Sequence, residues 1–185
     1  ELATSGTYAL NQSITGISGT CFNVTADNVI LIGGGYEVSG DNSGTDYGVF
    51  AKGIINLSVK DFQNIGGFEN GIHLDNTNES LVENLTSSTN GDNGVKILYG
   101  FENNLSNLNL TSNHNGIYTS SSSNNTFSNI NSSSNSDDGI DLNSNSDHNT
   151  LTNITSNSNN DQNIELYESS YNNVTNAETS SSETE

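Results

Sequence analysis

Apolar residues in this chain fall into short alternating runs that return at nearly fixed intervals. Six segments align on a small residue followed by β-type alternation: GVFA from Gly48, GIHL from Gly71, GVKI from Gly94, GIYT from Gly116, GIDL from Gly139 and NIEL from Asn163. Their spacings are 23, 23, 22, 23 and 24 residues. A second motif, apolar-x-Asn-apolar in most copies, keeps step with the first. It reads VKDF from Val59, VENL from Val82, LSNL from Leu105, FSNI from Phe127, LTNI from Leu151 and VTNA from Val174. Four apolar columns result. The first is Val49, Ile72, Val95, Ile117, Ile140 and Ile164, and the second is Ala51, Leu74, Ile97, Thr119, Leu142 and Leu166. Val59, Val82, Leu105, Phe127, Leu151 and Val174 make the third, and Phe62, Leu85, Leu108, Ile130, Ile154 and Ala177 the fourth. Thr119 is the one polar member. CFNV from Cys21, followed by VILI from Val29, is a looser first copy.

Period-two alternation in runs too short for a helix predicts three short strands and three turns per coil of about 23 residues. A leucine-rich repeat of that length would need its own leucine consensus, which is missing. The expected fold is therefore all-β: a parallel β-helix of about seven coils stacked at roughly 4.8 Å. Residues 1–20 read as an N-terminal strand and first partial coil, 21–177 as the β-helix, and 178–185 as a polar acidic tail or linker.

Stacking gives the asparagines a role. Asp61, Asn84, Asn107, Asn129, Asn153 and Asn176 form one column; Asn90, Asn113, Asn135 and Asn159 a second; Ser80, Asn103, Asn125, Asn149 and Asn172 a third. Asn tolerates the left-handed conformation of a sharp corner, and its amide can donate to one neighbouring coil while accepting from the other.

Composition alone points elsewhere. Of 185 residues, 34 are Asn and 29 Ser, apolar residues reach 30%, and the net charge is -19. Such a chain normally buries too little to offset its conformational entropy. The repeat reverses that reading, because each coil needs only a few inward side chains. Three Lys and no Arg leave almost nothing to neutralise phosphates, which excludes nucleic acid as a partner. No apolar run is long enough for a membrane span. With Cys21 as the single cysteine, no intramolecular disulfide forms. A start at Glu1, without a Met or an apolar leader, fits a mature secreted product or an excised fragment, so the expected location is extracellular or at the cell surface.

The G-[IV]-x-[L] and apolar-x-Asn-apolar segments, with the opening GTYAL…GTCFNVTADNVIL, resemble the pectin-lyase-like right-handed parallel β-helices. They are similar most closely to the Asn-rich repeats of archaeal and bacterial surface proteins. The accessory protein for copper-site assembly in nitrous-oxide reductase carries similar repeats. The resemblance spans residues 6–177 and implies a right-handed coil. It leaves function open, since such families include lyases, hydrolases, adhesins and surface-layer components.

Outward positions carry whatever chemistry there is. The x position of the first motif gives Phe50, His73, Lys96, Tyr118, Asp141 and Glu165, a varied column of the kind that binds polysaccharide in related enzymes. His73 with Asp75, or Asp137 and Asp138 with Asp141, are the acid–base candidates, and DDGID at Asp137 partly resembles the paired-Asp motif of polygalacturonases. The Gly-His-Gly and Arg-x-Lys partners of that family are missing, and no Arg is present to serve as a lyase base. A non-catalytic protein is therefore expected. Two residues before each small residue lies an acidic column, Asp46, Glu69, Asp92, His114, Asp137 and Asp161. Like charges about 5 Å apart repel by roughly 1 kcal/mol or more, relieved by solvation, protonation or bound cations. Asp46, Glu69, Asp92, Asp137 and Asp161 thus form a candidate Ca²⁺ ladder, to which Asp138 and Asp141 add oxygens near the Asp137 coil, with an exposed turn that favours Asp as the alternative. No other cofactor is required. Copper is excluded, because Met is absent and Cys21, His73, His114 and His148 lie on different coils.

Neither end of the repeat shows a cap. Uncapped edges invite stacking on another copy, which repeated head-to-tail gives a filament. The sequence expectation is an extracellular structural β-solenoid, a building block of a surface layer or filament, with a carbohydrate-binding or polysaccharide-cleaving domain as the alternative.

Overall fold

In the computed structural model, which describes residues 1–180, the chain is built of strands and turns alone. The first coil contributes β1 (Gly6–Ala9), β2 (Ile14–Ile17) and β3 (Phe22–Val24); the second, β4 (Val29–Ile32), β5 (Glu37–Gly40) and β6 (Tyr47–Lys52). The third has β7 (Ser58–Lys60), β8 (Asn64–Gly66) and β9 (Asn70–Asp75). Later coils carry two strands each: β10 (Leu81–Thr86) and β11 (Asn93–Leu98), β12 (Asn104–Asn109) and β13 (Asn115–Ser120), β14 (Thr126–Asn131) and β15 (Ile140–Asn143), β16 (Thr150–Asn157) and β17 (Ile164–Tyr167). The strand β18 (Asn173–Ser180) closes the series and takes in the first three residues of the tail expected at 178–185, the rest of which lies outside the described residues.

All pairings are parallel, between equivalent strands of successive coils. One sheet runs β1-β4-β7-β10-β12-β14-β16-β18, a second β17-β15-β13-β11-β9-β6-β3, and a third β2-β5-β8. The chain is therefore a parallel β-helix of about eight turns around a three-sided core. On the third side, ladder pairing continues past β8 as the single bridge Ile65↔Ser87.

The inward columns fall into the register the sequence predicts. Val49, Ile72, Val95, Ile117, Ile140 and Ile164 are successive ladder partners, as are Val59, Val82, Leu105, Phe127, Leu151 and Val174. Their side chains are fully buried except on the last coil. Buried Thr119 satisfies its hydroxyl against Ser146 Oγ at 3.1 Å, which makes a polar residue tolerable in that stack.

The Asn columns divide into two kinds. The column from Asp61 to Asn176 sits on the outside in the left-handed region, with φ between 51° and 60°. Its amides bond coil to coil, Asn84 Nδ2 to Asp61 Oδ1 at 2.7 Å and Asn153 Nδ2 to Asn129 Oδ1 at 2.9 Å. The other two columns are buried, and there the left-handed residue is the one before the Asn. Thr89, Ser112, Ser134 and Ser158 have φ of 61°, 60°, 61° and 59°. Such a conformation costs a non-glycine residue roughly 1–2 kcal/mol. The buried amide holds the turn in place from inside. Asn113 Oδ1 accepts the Asn90 backbone N–H at 3.0 Å, while Asn113 Nδ2 donates to the Ser87 carbonyl at 3.0 Å. Asn103, Asn125 and Asn149 repeat that clamp at the other corner.

The small residue that opens each first motif is required by stacking. A Cβ on Gly94 would lie 2.7 Å from the Gly116 carbonyl oxygen, and one on Gly116 2.7 Å from that of Gly139 and closer still to Ser132 Oγ. The sixth copy, on the last described coil, carries Asn163 instead. Gly116→Ala is expected to destabilise the protein by about 3 kcal/mol, as overpacking against backbone cannot relax locally. Gly91→Ala, where the new methyl would meet only an ordinary 3.7 Å contact, should cost under about 1 kcal/mol. Urea denaturation midpoints of the two variants check this.

Candidate functional site on the seven-stranded sheet

Strand alternation sends every second side chain of the seven-stranded sheet outward, and parallel register lines these up. Asn23, Phe50, His73, Lys96, Tyr118, Asp141 and Glu165 are successive ladder partners, so the six expected track residues form one unbroken column. Its first part is aromatic. The Tyr47 and Phe50 rings stack at 5.0 Å, and both meet the His73 imidazole edge-on, at 5.0 and 5.4 Å. His73 is consequently only 8% exposed, although it points outward. Neither Nδ1 nor Nε2 has a hydrogen-bond partner. Burial, helped by the Lys96 ammonium and opposed by Asp75 and Asp92, lowers its pKa to about 4, so the ring is neutral at neutral pH. Asp75 itself lies against Lys52 at 2.7 Å rather than against His73.

Lys96 marks the middle of the track. Its Nζ is 3.2 Å from Asp92 Oδ2 and 5.5 Å from the centre of the Tyr118 ring. Beyond it, Asp141 and Glu165 are joined by Asp138, each Asp 5% exposed. Burial pushes Asp141 up to about 7 against the Asn143 amide, with further upward pressure from Glu165, Asp138 and Asp137. Burial likewise raises Asp138 to about 6, opposed by its bond from the Gln162 backbone and reinforced by Asp137, Glu165 and Asp161.

Asp138, singled out in the sequence as an acid–base candidate, also holds a ladder position that sequence reasoning missed. The residue before each strand glycine forms another buried amide ladder of Asn70, Asn93 and Asn115. Asn93 donates to Asn70 Oδ1 from its backbone N at 3.2 Å and from Nδ2 at 2.7 Å, and Asn115 Nδ2 donates to Asn93 Oδ1 at 3.2 Å. Asp138 comes next. Its backbone N–H donates to Asn115 Oδ1 at 2.9 Å, but an ionised carboxylate has no N–H to add. The signal was the recurring Asn-Gly step, which becomes Asp-Gly at residues 138–139.

The acidic column is continuous through its backbone. Glu69, Asp92, His114, Asp137 and Asp161 each donate an N–H to the carbonyl of the preceding member, starting from Asp46. The side chains diverge. Asp46 is buried and accepts the Gly19 and Glu69 N–H groups at 3.2 Å each. Asp92 pairs with Lys96, and His114 Nδ1 lies 3.4 Å from Asp137 Oδ2. Among the described residues, two carboxylate triads bring their oxygens within 4.8 Å of one another: Asp137, Asp138 and Asp161, and Asp138, Asp141 and Glu165. Asp46, Glu69 and Asp92 join neither. His148 stacks on Tyr171 at 4.9 Å, far from the track, and burial pushes the Cys21 thiol up to about 11.

The sequence profile described as "right handed beta helix region" matches residues 47–184. No curated protein matches the chain. Two solved structures share its fold, both A-modules of Azotobacter vinelandii mannuronan C-5 epimerases. The AlgE4 module matches at TM-score 0.58 and 16% identity, over 90% of this chain and 55% of its own length. The AlgE6 module matches at TM-score 0.52 and 11% identity, over 95% of this chain and 68% of its own. The chain thus spans about half of the AlgE4 module. These matches correct the expectation of a non-catalytic protein. Missing lyase and polygalacturonase partners had argued against catalysis, yet both matched modules are named as epimerases, so those absences do not exclude it.

The titrating groups give opposed pH effects. Asp138 and Asp141 bind protons more tightly folded than unfolded, so their contribution is full below about pH 4 and is lost as pH rises through about 6 and 7. His73 binds protons less tightly when folded, so its contribution is present above about 6.5 and lost as pH falls towards 4. In chelator-containing buffer, the melting temperature of Asp141→Asn relative to the parent should rise from near zero difference at pH 4 to a plateau of several degrees above pH 7. For His73→Gln the difference should instead be largest near pH 4. Differential scanning calorimetry across pH 4–8 checks both.

Proposed function

We propose, from the premise that this chain belongs to the right-handed β-helix family, that the outward face of its seven-stranded sheet binds an extended polysaccharide and acts on it. The observation that carries this reading is His73: an outward side chain, packed against the stacked Tyr47 and Phe50 rings, with both ring nitrogens unpartnered. Leaving buried polar atoms unpaired is costly, and a sugar hydroxyl that entered as the covering Tyr47 and Phe50 rings part would pair them. Aromatic faces suit the C–H face of a pyranose, and one coil rise is close to the length of one sugar unit. A straight column of six different side chains therefore offers successive subsites along one chain.

Two further points support a polysaccharide. Lys96 is the one cationic side chain on the track, placed to meet an acidic or hydroxyl oxygen beside Tyr118. The two solved structures of like fold are named as mannuronan epimerase modules, enzymes of a polysaccharide. The surface-layer or filament role has no comparable observation behind it.

Isothermal titration against neutral and uronate-containing polysaccharides tests the reading. Saturable binding should weaken by about tenfold or more in His73→Ala and in Lys96→Ala, roughly the loss of one buried or charge-assisted hydrogen bond. Thr152→Ala, on the eight-stranded sheet, should leave it unchanged. Product assays on the bound polymer should cover new reducing ends, unsaturated ends and changed C-5 configuration. Absence of binding to every polymer, or equal binding in the track variants, would overturn the reading.

A further inference from the structure

Asp138, Asp141 and Glu165 are carboxylates from two successive coils whose oxygens converge within 4.8 Å. Clustered acids alone say little, as they are common on solvated surfaces. Two observations set these apart. Oδ1 of Asp141, on a residue 5% exposed, has no donor, and its other oxygen has only a long 3.5 Å contact to Asn143 Nδ2. Asp138 sits where the amide ladder calls for a donor, so an acceptor is set where Asn93 and Asn115 each place an N–H.

No side chain supplies the missing positive charge. The chain has no Arg, and its three lysines are engaged elsewhere: Lys52 with Asp75 at 2.7 Å, Lys60 with Glu83 at 3.8 Å and Lys96 with Asp92 at 3.2 Å. His114 lies against Asp137. Asp138 Oδ1 accepts the Gln162 N–H at 2.7 Å, which fixes its carboxylate and orients the remaining oxygen.

We infer that Asp138, Asp141 and Glu165 hold a hard divalent cation of calcium size, bridging β15 to β17. Two oxygens on one Ca²⁺ lie at most about 4.8 Å apart, given bond lengths near 2.4 Å. Three carboxylates with no nitrogen or sulfur donor suit calcium, whereas Mg²⁺ is usually bound through one or two carboxylates and keeps several waters, and softer metals prefer imidazole or thiolate. The site differs from the ladder expected along Asp46, Glu69, Asp92, Asp137 and Asp161, and it does not depend on whether the track binds a glycan.

The test uses the whole chain, stripped with chelator at pH 8, without any sugar. Calorimetric titration with Ca²⁺ should show one saturable site, and saturating Ca²⁺ should raise the melting temperature by several degrees. Asp141→Asn and Glu165→Gln should each weaken binding by about tenfold or more. Asp141→Asn should at the same time melt higher than the parent in the absence of cation, because it removes one of three crowded charges. That crossed result separates cation ligation from a purely structural role, and the higher melting point shows that the variant folds. Terbium bound at the site should show tyrosine-sensitised emission that falls in Tyr118→Phe, since Tyr118 is the ladder partner of Asp141. Absence of Ca²⁺ binding would overturn the inference. So would binding retained in Asp141→Asn and lost in Glu69→Gln, which would move the ion to the acidic column.

Discussion

Each coil must lie flat on the next at the spacing of a β-ladder, and nearly every residue choice in this protein answers to that. Backbone N–H and C=O groups on all three sides bond to the neighbouring coil rather than within their own. Every residue is therefore judged by what stands above and below it. A glycine opens five of the six first motifs because the carbonyl of the next coil leaves no room for a Cβ. Asn fills the inner corners because one amide can accept an N–H and donate to a carbonyl of the same preceding coil, clamping its turn. The low apolar content follows as well. A narrow three-sided core is filled by a few stacked aliphatic side chains per turn, and the rest of each coil is corner or surface.

The same constraint builds the candidate site. No loop or fold-back is needed to bring Phe50, His73, Lys96, Tyr118, Asp141 and Glu165 together, since they share one register position. Their order in space is their order in sequence. A face assembled this way is linear by construction, which suits a polymer better than a compact small molecule. Its charge changes along its length, from aromatic and neutral at His73, through Lys96, to the carboxylates at Asp141 and Glu165.

Much of this was legible beforehand because a solenoid converts sequence period directly into contact. The inward columns, the outward track and the Asn registers could all be read from spacing. What spacing could not give was the state of each side chain within its column. Nothing in GIHL says that His73 would be covered by Tyr47 and Phe50, because that depends on rotamers one coil away in the sequence. The division of labour at the corners was missed for a related reason. The buried Asn is conspicuous, whereas the left-handed residue before it is a Thr, Ser, Glu, Asn, His or Tyr with no common signature. The convergence on Asp138 was obscured because DDGID was read as an outward motif, while the first of its paired positions belongs to the acidic column and the second to the amide ladder.

Burial declines over the final coil: Ile164 is only half-buried, Leu166 and Val174 are exposed, and all of β18 is open to solvent. In a nearest-neighbour rod, each turn is held chiefly by the turns beside it. The cost of opening one turn is therefore set largely by its two neighbours, and a tie between turns protects the amides of both. Asp138 and Asp141 stand on one turn and Glu165 on the next. Any ligand that binds all three acts as a rivet across that seam.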